Sequence, residues 1–208
     1  MNQSSKAYWE SYYQKHRNPG PPSPFANFVR PFLTPGKRLA ELGCGNGRDS
    51  SFFASEQGVN VTSFDQCQEE LDYLNQRYAD SPNLKFVAGD MGKLASLTGL
   101  DYVYSRFSIH SIDRETEAKV LRWAYDNLSE NGLFFIEVRS VNDELCGQGE
   151  QVGENEFVTD HYRRFVVKEE LEAAAAQAGF RQLYSLESQG LAVYKDEDPA
   201  VIRLILQR

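Results

Sequence analysis

The sequence predicts an α/β fold, a mostly parallel sheet with helices on both faces. Strand-length apolar runs alternate with helix-length amphipathic segments from residue 37 to residue 138. Alternation at that spacing produces right-handed crossover units and a parallel sheet. Three successive apolar runs also end in an acid, at Glu41, Asp65 and Asp90, where an open sheet presents its ligand-binding edge. With 208 residues and 41% hydrophobic content the chain can bury one good core, so a single domain is expected over 1–208.

Each element has its own signal. Tyr8, Trp9, Tyr12, Tyr13 and His16 recur at helical offsets, so 5–17 reads as a helix with one aromatic face. That face either packs into the core or closes over a ligand. Asn18-Pro-Gly-Pro-Pro-Ser-Pro24 is a rigid connector, because proline fixes φ and supplies no amide donor. A second short helix starts at Phe25 and ends before Pro35-Gly36. Strands follow at 37–42, 59–64, 84–88, 100–104 and 132–138, with helices at 48–57, 68–78, near 92–97 and at 114–128. Gly58 and Gly132 stand where helices should terminate. Residues 140–157 carry Gly147, Gly149 and Gly153 among acids and amides without a period, which reads as a long loop. A helix over 168–178 stopped by Gly179, then strands at 180–187 and 200–206, complete the chain. The run Lys195-Asp-Glu-Asp-Pro199 reads as a solvated connection between the last two strands.

The most informative segment is Leu39-Ala-Glu-Leu-Gly-Cys-Gly-Asn-Gly-Arg-Asp-Ser50. Gly43, Gly45 and Gly47 lack β-carbons, so the chain can turn from a strand into a helix with its amides close to a nucleoside. A dinucleotide fingerprint spaces its glycines G-x-G-x-x-G, and counted from Gly43 the third place falls on Arg48. That bulky residue speaks against a nicotinamide dehydrogenase. Asp65 follows Gly47 by 18 residues, the reach of a carboxylate that accepts both hydroxyls of a ribose.

Glu41 to Gly47, Asp65 and Asp90-Met91 together resemble the successive motifs of class I methyltransferases that use S-adenosyl-L-methionine (SAM), over roughly residues 36–140. The resemblance implies a Rossmann-like fold whose seven-stranded sheet has its last strand antiparallel, with SAM as cofactor. It implies that Asp65 holds the ribose, Asp90 the adenine amino group with the Met91 backbone beside it, and Glu41 the methionine ammonium. Gln66, Ser105, Trp9 and Tyr13 complete the cofactor set that it implies. The chain then divides into a helical lid (1–35), a SAM-binding core (36–140), an active-site loop (140–165), and a C-terminal helix and hairpin (166–208). The loop from Gly43 to Ser50 is also similar to that of tellurite-resistance methyltransferases, a narrower likeness that fades beyond it.

The acceptor is expected beyond the fourth and fifth strands. Arg106 and His110 follow the fourth, Arg139 ends the fifth, and Tyr162, Arg163 and Arg164 close the long loop. Arg106, His110 and Arg139 are the candidates nearest the chemistry. A guanidinium fork suits carboxylate or phosphate, so the cluster points to a small anionic acceptor. The competing reading is that each arginine neutralises an acid such as Glu41, Glu137, Asp101 or Asp160. Alternation lets only one of Arg163 and Arg164 face the site. His110 is either a general base or a core histidine.

Composition narrows the partners. A net charge of −8 disfavours a nucleic-acid surface. There is no apolar run of about 18 residues for a membrane span, and the N-terminus lacks the apolar run of a signal peptide, so the expected location is cytoplasmic. Cys44, Cys67 and Cys146 show no metal-ligand spacing, so neither a metal site nor a disulfide framework is expected. The expected function is methyl transfer from SAM to a phosphate, phosphonate or carboxylate oxygen of a small molecule. The alternatives are a chalcogen, thiol or amine acceptor, or a catalytically silent SAM-binding module. The oligomeric state is left open.

Overall fold

Seven strands form one sheet in the computed structural model, which describes residues 3–208, with side chains described from Ala7 onward. The chain begins with α1 (Gln3–Lys15) and α2 (Pro24–Val29), then enters the alternating part: β1 (Arg38–Leu42), α3 (Arg48–Ser55), β2 (Asn60–Asp65), α4 (Gln68–Arg77), β3 (Leu84–Ala88), β4 (Leu100–Arg106), α5 (Arg114–Asn127) and β5 (Leu128–Arg139). Three short strands follow, β6 (Glu150–Gly153), β7 (Glu156–Val158) and β8 (Tyr162–Arg164), then α6 (Lys168–Ala178), β9 (Arg181–Ser188) and β10 (Val201–Gln207).

The sheet order is β3-β2-β1-β4-β5-β10-β9. β1 to β5 pair in parallel, and β10 runs antiparallel to both β5 and β9, as expected of the last strand. Side chains alternate between faces, so each central strand feeds two cores. Ala40, Val103, Phe134, Ile136 and Leu204 belong to one, with Leu121 of α5 and Leu171 of α6; Leu39, Tyr104, Phe135 and Ile205 belong to the other, with Phe25 of α2 and Phe53 of α3. The order reverses between β1 and β4, which opens a crevice at their carboxyl ends. No helix among the described residues is long and apolar enough to cross a membrane.

Three expectations are corrected. The helix near 92–97 is only a 3₁₀ turn at Met91–Lys93, because the Asn127 side chain of α5 accepts from the Leu97 amide and the Ser96 hydroxyl and ties that backbone to a neighbour. The stretch 140–157 is not loop throughout. Its second half enters a three-stranded antiparallel sheet, β6-β7-β8, in which Asn155 takes the left-handed conformation of a tight turn, φ 57°. Neither β6 nor β7 has a buried residue, so no alternation betrayed them. Gly132 does not end α5 either. The helix stops at Asn127, and Gly132 lies inside β5, where Asn131 carries a positive φ of 64°.

Candidate active site

The ends of β1, β2, β4 and β5, the face of α1 and the β6-β8 insertion surround one cavity of about 490 Å³. That is the size of a small-ligand site. The glycine turn forms its floor. Gly45 has φ 52°, and a β-carbon there would lie 2.7 Å from the Tyr13 hydroxyl. Gly47 serves a different purpose, since its missing β-carbon makes room for Leu74 and Phe86 in the core. Asp65 braces the turn, accepting from the Gly45 amide at 2.9 Å and the Cys67 amide at 3.0 Å.

One end of the cavity is acidic. Glu41 is buried and accepts from the hydroxyls of Ser50 and Ser63. Burial, then the charge of Asp49, raises its carboxyl to about 8, against the two hydroxyl bonds. Asp49 itself accepts from the Ser23 amide and hydroxyl and from the Tyr104 hydroxyl. A buried carboxyl group held by hydroxyls beside a second acid is short of a cation, and glycine backbone lies next to it. This arrangement suits a ligand with an ammonium group and a flat nucleoside.

The other end is basic. Arg106 Nε donates to Glu137 at 2.9 Å, Arg139 to Asp143 at 2.9 Å and Glu197 at 3.0 Å, and Arg163 to Asp160 at 2.8 Å. Each arginine therefore has an acid partner. Glu137 and Asp160 were among the acids expected, whereas Asp101 instead pairs with Lys37. His110 is 3% exposed, its Nδ1 makes no hydrogen bond among the described residues, and burial together with Arg139 and Arg163 holds it well below 6.5. Nδ1 of His161 lies 3.1 Å from Asp160 but off the hydrogen-bond direction. Burial and Arg163 lower this imidazole to about 4. Both rings are neutral near pH 7.

Helix α1 covers the cavity with its aromatic face. The Tyr8 hydroxyl donates to Asp160 at 2.7 Å, and the Tyr8 and Trp9 rings sit 4.5 and 4.7 Å from the His161 ring. Trp9 and Tyr13 stack at 5.7 Å above the glycine turn.

Of the sequence candidates, Glu41, Gly43, Gly45, Asp65, Gln66, Met91, Trp9, Tyr13, Arg106, His110, Arg139 and Arg163 line the cavity. Gly47, Asp90, Ser105, Tyr162 and Arg164 lie outside its wall. Asp90 is exposed and caps the 3₁₀ turn at the Gly92 amide, while Ser105 is buried and bonds Ser108. Along β8 the alternation sends Arg163 to the cavity, and Arg164 donates instead to Glu117 and to the Ile112 carbonyl. Tyr162 shares that far side. Asp49, Phe107, Ser108, Tyr194 and Glu197 line the cavity without having been singled out for the site. Asp49 could have been found inside the glycine motif. Tyr194 and Glu197 had no local signal, and Glu197 belongs to the run read as solvated.

Residues 39–132 match the model of a family described as a methyltransferase domain. No curated protein matches the sequence closely enough to count as a relative. Among solved structures the chain is similar to a SAM-dependent methyltransferase from Methanosarcina mazei, at 16% identity over 87% of this chain and 96% of that one, TM-score 0.74. It is similar to a TehB-like SAM-dependent methyltransferase from Corynebacterium glutamicum, at 20% identity over 97% and 99%, TM-score 0.70. It also matches 1,6-didemethyltoxoflavin-N1-methyltransferase from Burkholderia thailandensis, crystallised with 1,6-didemethyltoxoflavin and S-adenosylhomocysteine, at 18% identity over 99% and 87%, TM-score 0.76. The fold, the glycine turn with its strand-end acids, and the family match agree: residues 39–132 match a methyltransferase domain, and the chain has the fold of the SAM-dependent methyltransferases to which it is similar.

Proposed function

We propose that the enzyme methylates an anionic oxygen of a small acceptor, with SAM at the acidic end of the cavity and the acceptor at the basic end. The observation that carries this reading is how charge is distributed around one cavity: Glu41, Asp49 and Asp65 line it by the glycine turn, and Arg106, Arg139 and Arg163 line it by the strand ends and the insertion, with Glu197 paired to Arg139 and Asp160 to Arg163. Glu41 would receive the methionine ammonium, Gly43 and Gly45 would let the cofactor approach the backbone, and Asp65 with Gln66 would take the ribose. With Asp90 turned to Gly92, Gly89 and Met91 are left to meet the adenine.

SAM supplies a methyl group already made electrophilic by its sulfonium. The protein then has to orient the acceptor and exclude water, which α1 and the insertion do by covering the cavity. His110 shapes the choice of acceptor. An imidazole held well below 6.5 by burial and two guanidiniums is a weak base, so it suits a hydrogen bond to an oxygen that is already ionised better than removal of a proton from an alcohol or ammonium.

Labelled-methyl transfer from SAM across phosphorylated, phosphono- and carboxylate compounds tests this, with tellurite, thiols and amines alongside for the second reading that the loop from Gly43 to Ser50 favours. Label is expected in an oxyanion ester. Arg139→Met or Arg163→Met is expected to lower kcat/KM by about ten- to a hundredfold, about 1.4 to 2.8 kcal/mol. His110→Ala is expected to stay within about tenfold. Transfer only to neutral acceptors, with His110→Ala losing about 10² to 10⁴ in rate, overturns the anionic reading.

A further inference from the structure

Behind the basic end, two arginines share one carboxylate. Arg106 ends β4, Glu137 lies on β5 and Arg203 on β10, and the sheet register sets Arg106 directly against Glu137 and Glu137 directly against Arg203. Directly opposed residues point to the same face, so the three charges form a row across neighbouring strands. Arg106 Nε donates to one oxygen of Glu137 at 2.9 Å, and Arg203 Nε donates to the other at 2.7 Å. Glu137 has no exposed surface and Arg203 is 5% exposed. A second donor of Arg203 reaches the Leu191 carbonyl at 2.7 Å, and its guanidinium lies 4.9 Å from the Phe28 ring and 5.3 Å from the Phe25 ring. Arg203 is thus held on every side, and it holds Glu137.

The row does not balance. Guanidiniums stay charged at any accessible pH, so two cations on one carboxylate leave one positive charge unmatched, and an unmatched charge at a buried site is costly. The other arginines of the wall differ: Arg163 faces Asp160, Arg139 faces buried Asp143 as well as Glu197, whose side chain is 68% exposed and screened by solvent, and Arg48, beside the glycine turn, donates to the Pro21 and Pro22 carbonyls. Arg203 lies outside the cavity, whereas Arg106 lines it with an 18% exposed side chain. The surplus charge therefore meets the ligand space at Arg106. Had Glu137 faced Arg106 alone, the pair would be neutral.

We propose that Arg203 is a positioning residue for the acceptor: by engaging the second oxygen of Glu137 it orients Arg106 and keeps it from being neutralised, so that an oxyanion of the acceptor is the missing partner. This rests on the reading of the basic end as the acceptor site. The row lies on the side of the sheet that α2 covers, and the Leu191 carbonyl couples it to the segment that brings Ala192 and Tyr194 into the cavity wall.

The test uses the full chain saturated with S-adenosylhomocysteine and titrated by calorimetry with methylphosphonate and, separately, acetate, with acetamide as the neutral control. The wild type is expected to bind an oxyanion and not acetamide, and the tighter arm assigns phosphonate or carboxylate. Arg203→Met leaves a neutral Arg106–Glu137 pair and is expected to weaken the anion about tenfold or more. Glu137→Gln leaves both guanidiniums unmatched and is expected to tighten it severalfold. Arg203→Lys, which keeps the charge, is expected to bind within about threefold of wild type. Opposite signs from Arg203→Met and Glu137→Gln are what a merely structural role cannot produce, since damage to the wall weakens binding in both. Anion affinity indifferent to Arg203→Met, or weakened alike by both variants, overturns the proposal while the acceptor reading survives. A wild type that binds S-adenosylhomocysteine but neither oxyanion overturns the acceptor reading itself. Should Arg203→Met fail to fold, the comparison of Arg203→Lys with Glu137→Gln decides.

Discussion

Glu41 is the residue whose ionisation ought to report cofactor binding. Its carboxyl is raised from 4.5 to about 8. Between those values the folded chain holds a proton that the unfolded chain has lost, so the contribution of Glu41 to stability falls as pH rises through the window and levels off above it. A cation docked on the carboxylate reverses the shift. SAM binding near pH 7 is therefore expected to release about one proton, read by calorimetry in buffers of different ionisation enthalpy, and Glu41→Gln should release none. Equal apparent enthalpies in all buffers would place the ammonium elsewhere. Asp65 acts differently, through hydrogen bonds to the turn and, in the proposed pose, to the ribose. Asp65→Ala is expected to weaken SAM by about 1.5 to 3 kcal/mol, the worth of a charged hydrogen bond. Unchanged affinity would remove Asp65 from the cofactor site.

At the scale of elements, one three-residue strand separates two roles. On β8 Arg163 faces the cavity and Arg164 faces Glu117, both members of the latter pair being buried. Arg164→Met strands the Glu117 charge and is expected to cost about 3 to 5 kcal/mol of stability, seen as a lower Tm, with S-adenosylhomocysteine affinity intact. Arg163→Met should do the reverse, sparing Tm and weakening the acceptor. The same insertion meets α1 through Tyr8, Trp9 and His161. Removing that contact should loosen both elements together. In the double variant Tyr8→Phe, His161→Ala, hydrogen exchange is expected to speed up in 7–15 and in 150–164 alike, and SAM plus acceptor should slow both segments in the wild type. Faster exchange in only one of them would show that the two do not close as a unit.

At the scale of the molecule, β10 unites the chain. It enters between β5 and β9, so residues 201–207 complete the sheet that β1 begins, and six of its seven residues are buried. A sheet continuous from β3 to β9 offers no seam for independent unfolding, and we propose that the chain is one domain. Urea unfolding followed by tryptophan fluorescence, which reports Trp9 on α1 and Trp123 on α5, and by far-UV circular dichroism is expected to give one coincident transition. Two separated transitions would divide the chain.

Periodicity is a local property, and so the strands of the sheet, helices α3 to α6 and the turn through Gly43, Gly45 and Gly47 were legible in the sequence: each needs only the pattern of its own side chains. The strand-end acids Glu41 and Asp65 were legible for the same reason, because the end of a parallel strand is where the chain turns toward the crevice. Strands β6 and β7 were not, since two half-wet faces leave no pattern to read. The charge pairing was legible only in part. Glu137 follows Arg106 by 31 residues, one crossover unit, and was among the four acids expected to pair with the arginines, without being assigned to Arg106; Glu197 reaches Arg139 from 58 residues on, and Arg203 reaches Glu137 from 66. Whether an arginine is matched or left one charge in excess depends on which strands lie side by side. The sequence by itself determined the fold class, the glycine turn and the set of charges. The insertion of β10 beside β5 decided how those charges pair, because ion pairs form between neighbours in space and strand order alone sets who the neighbours are.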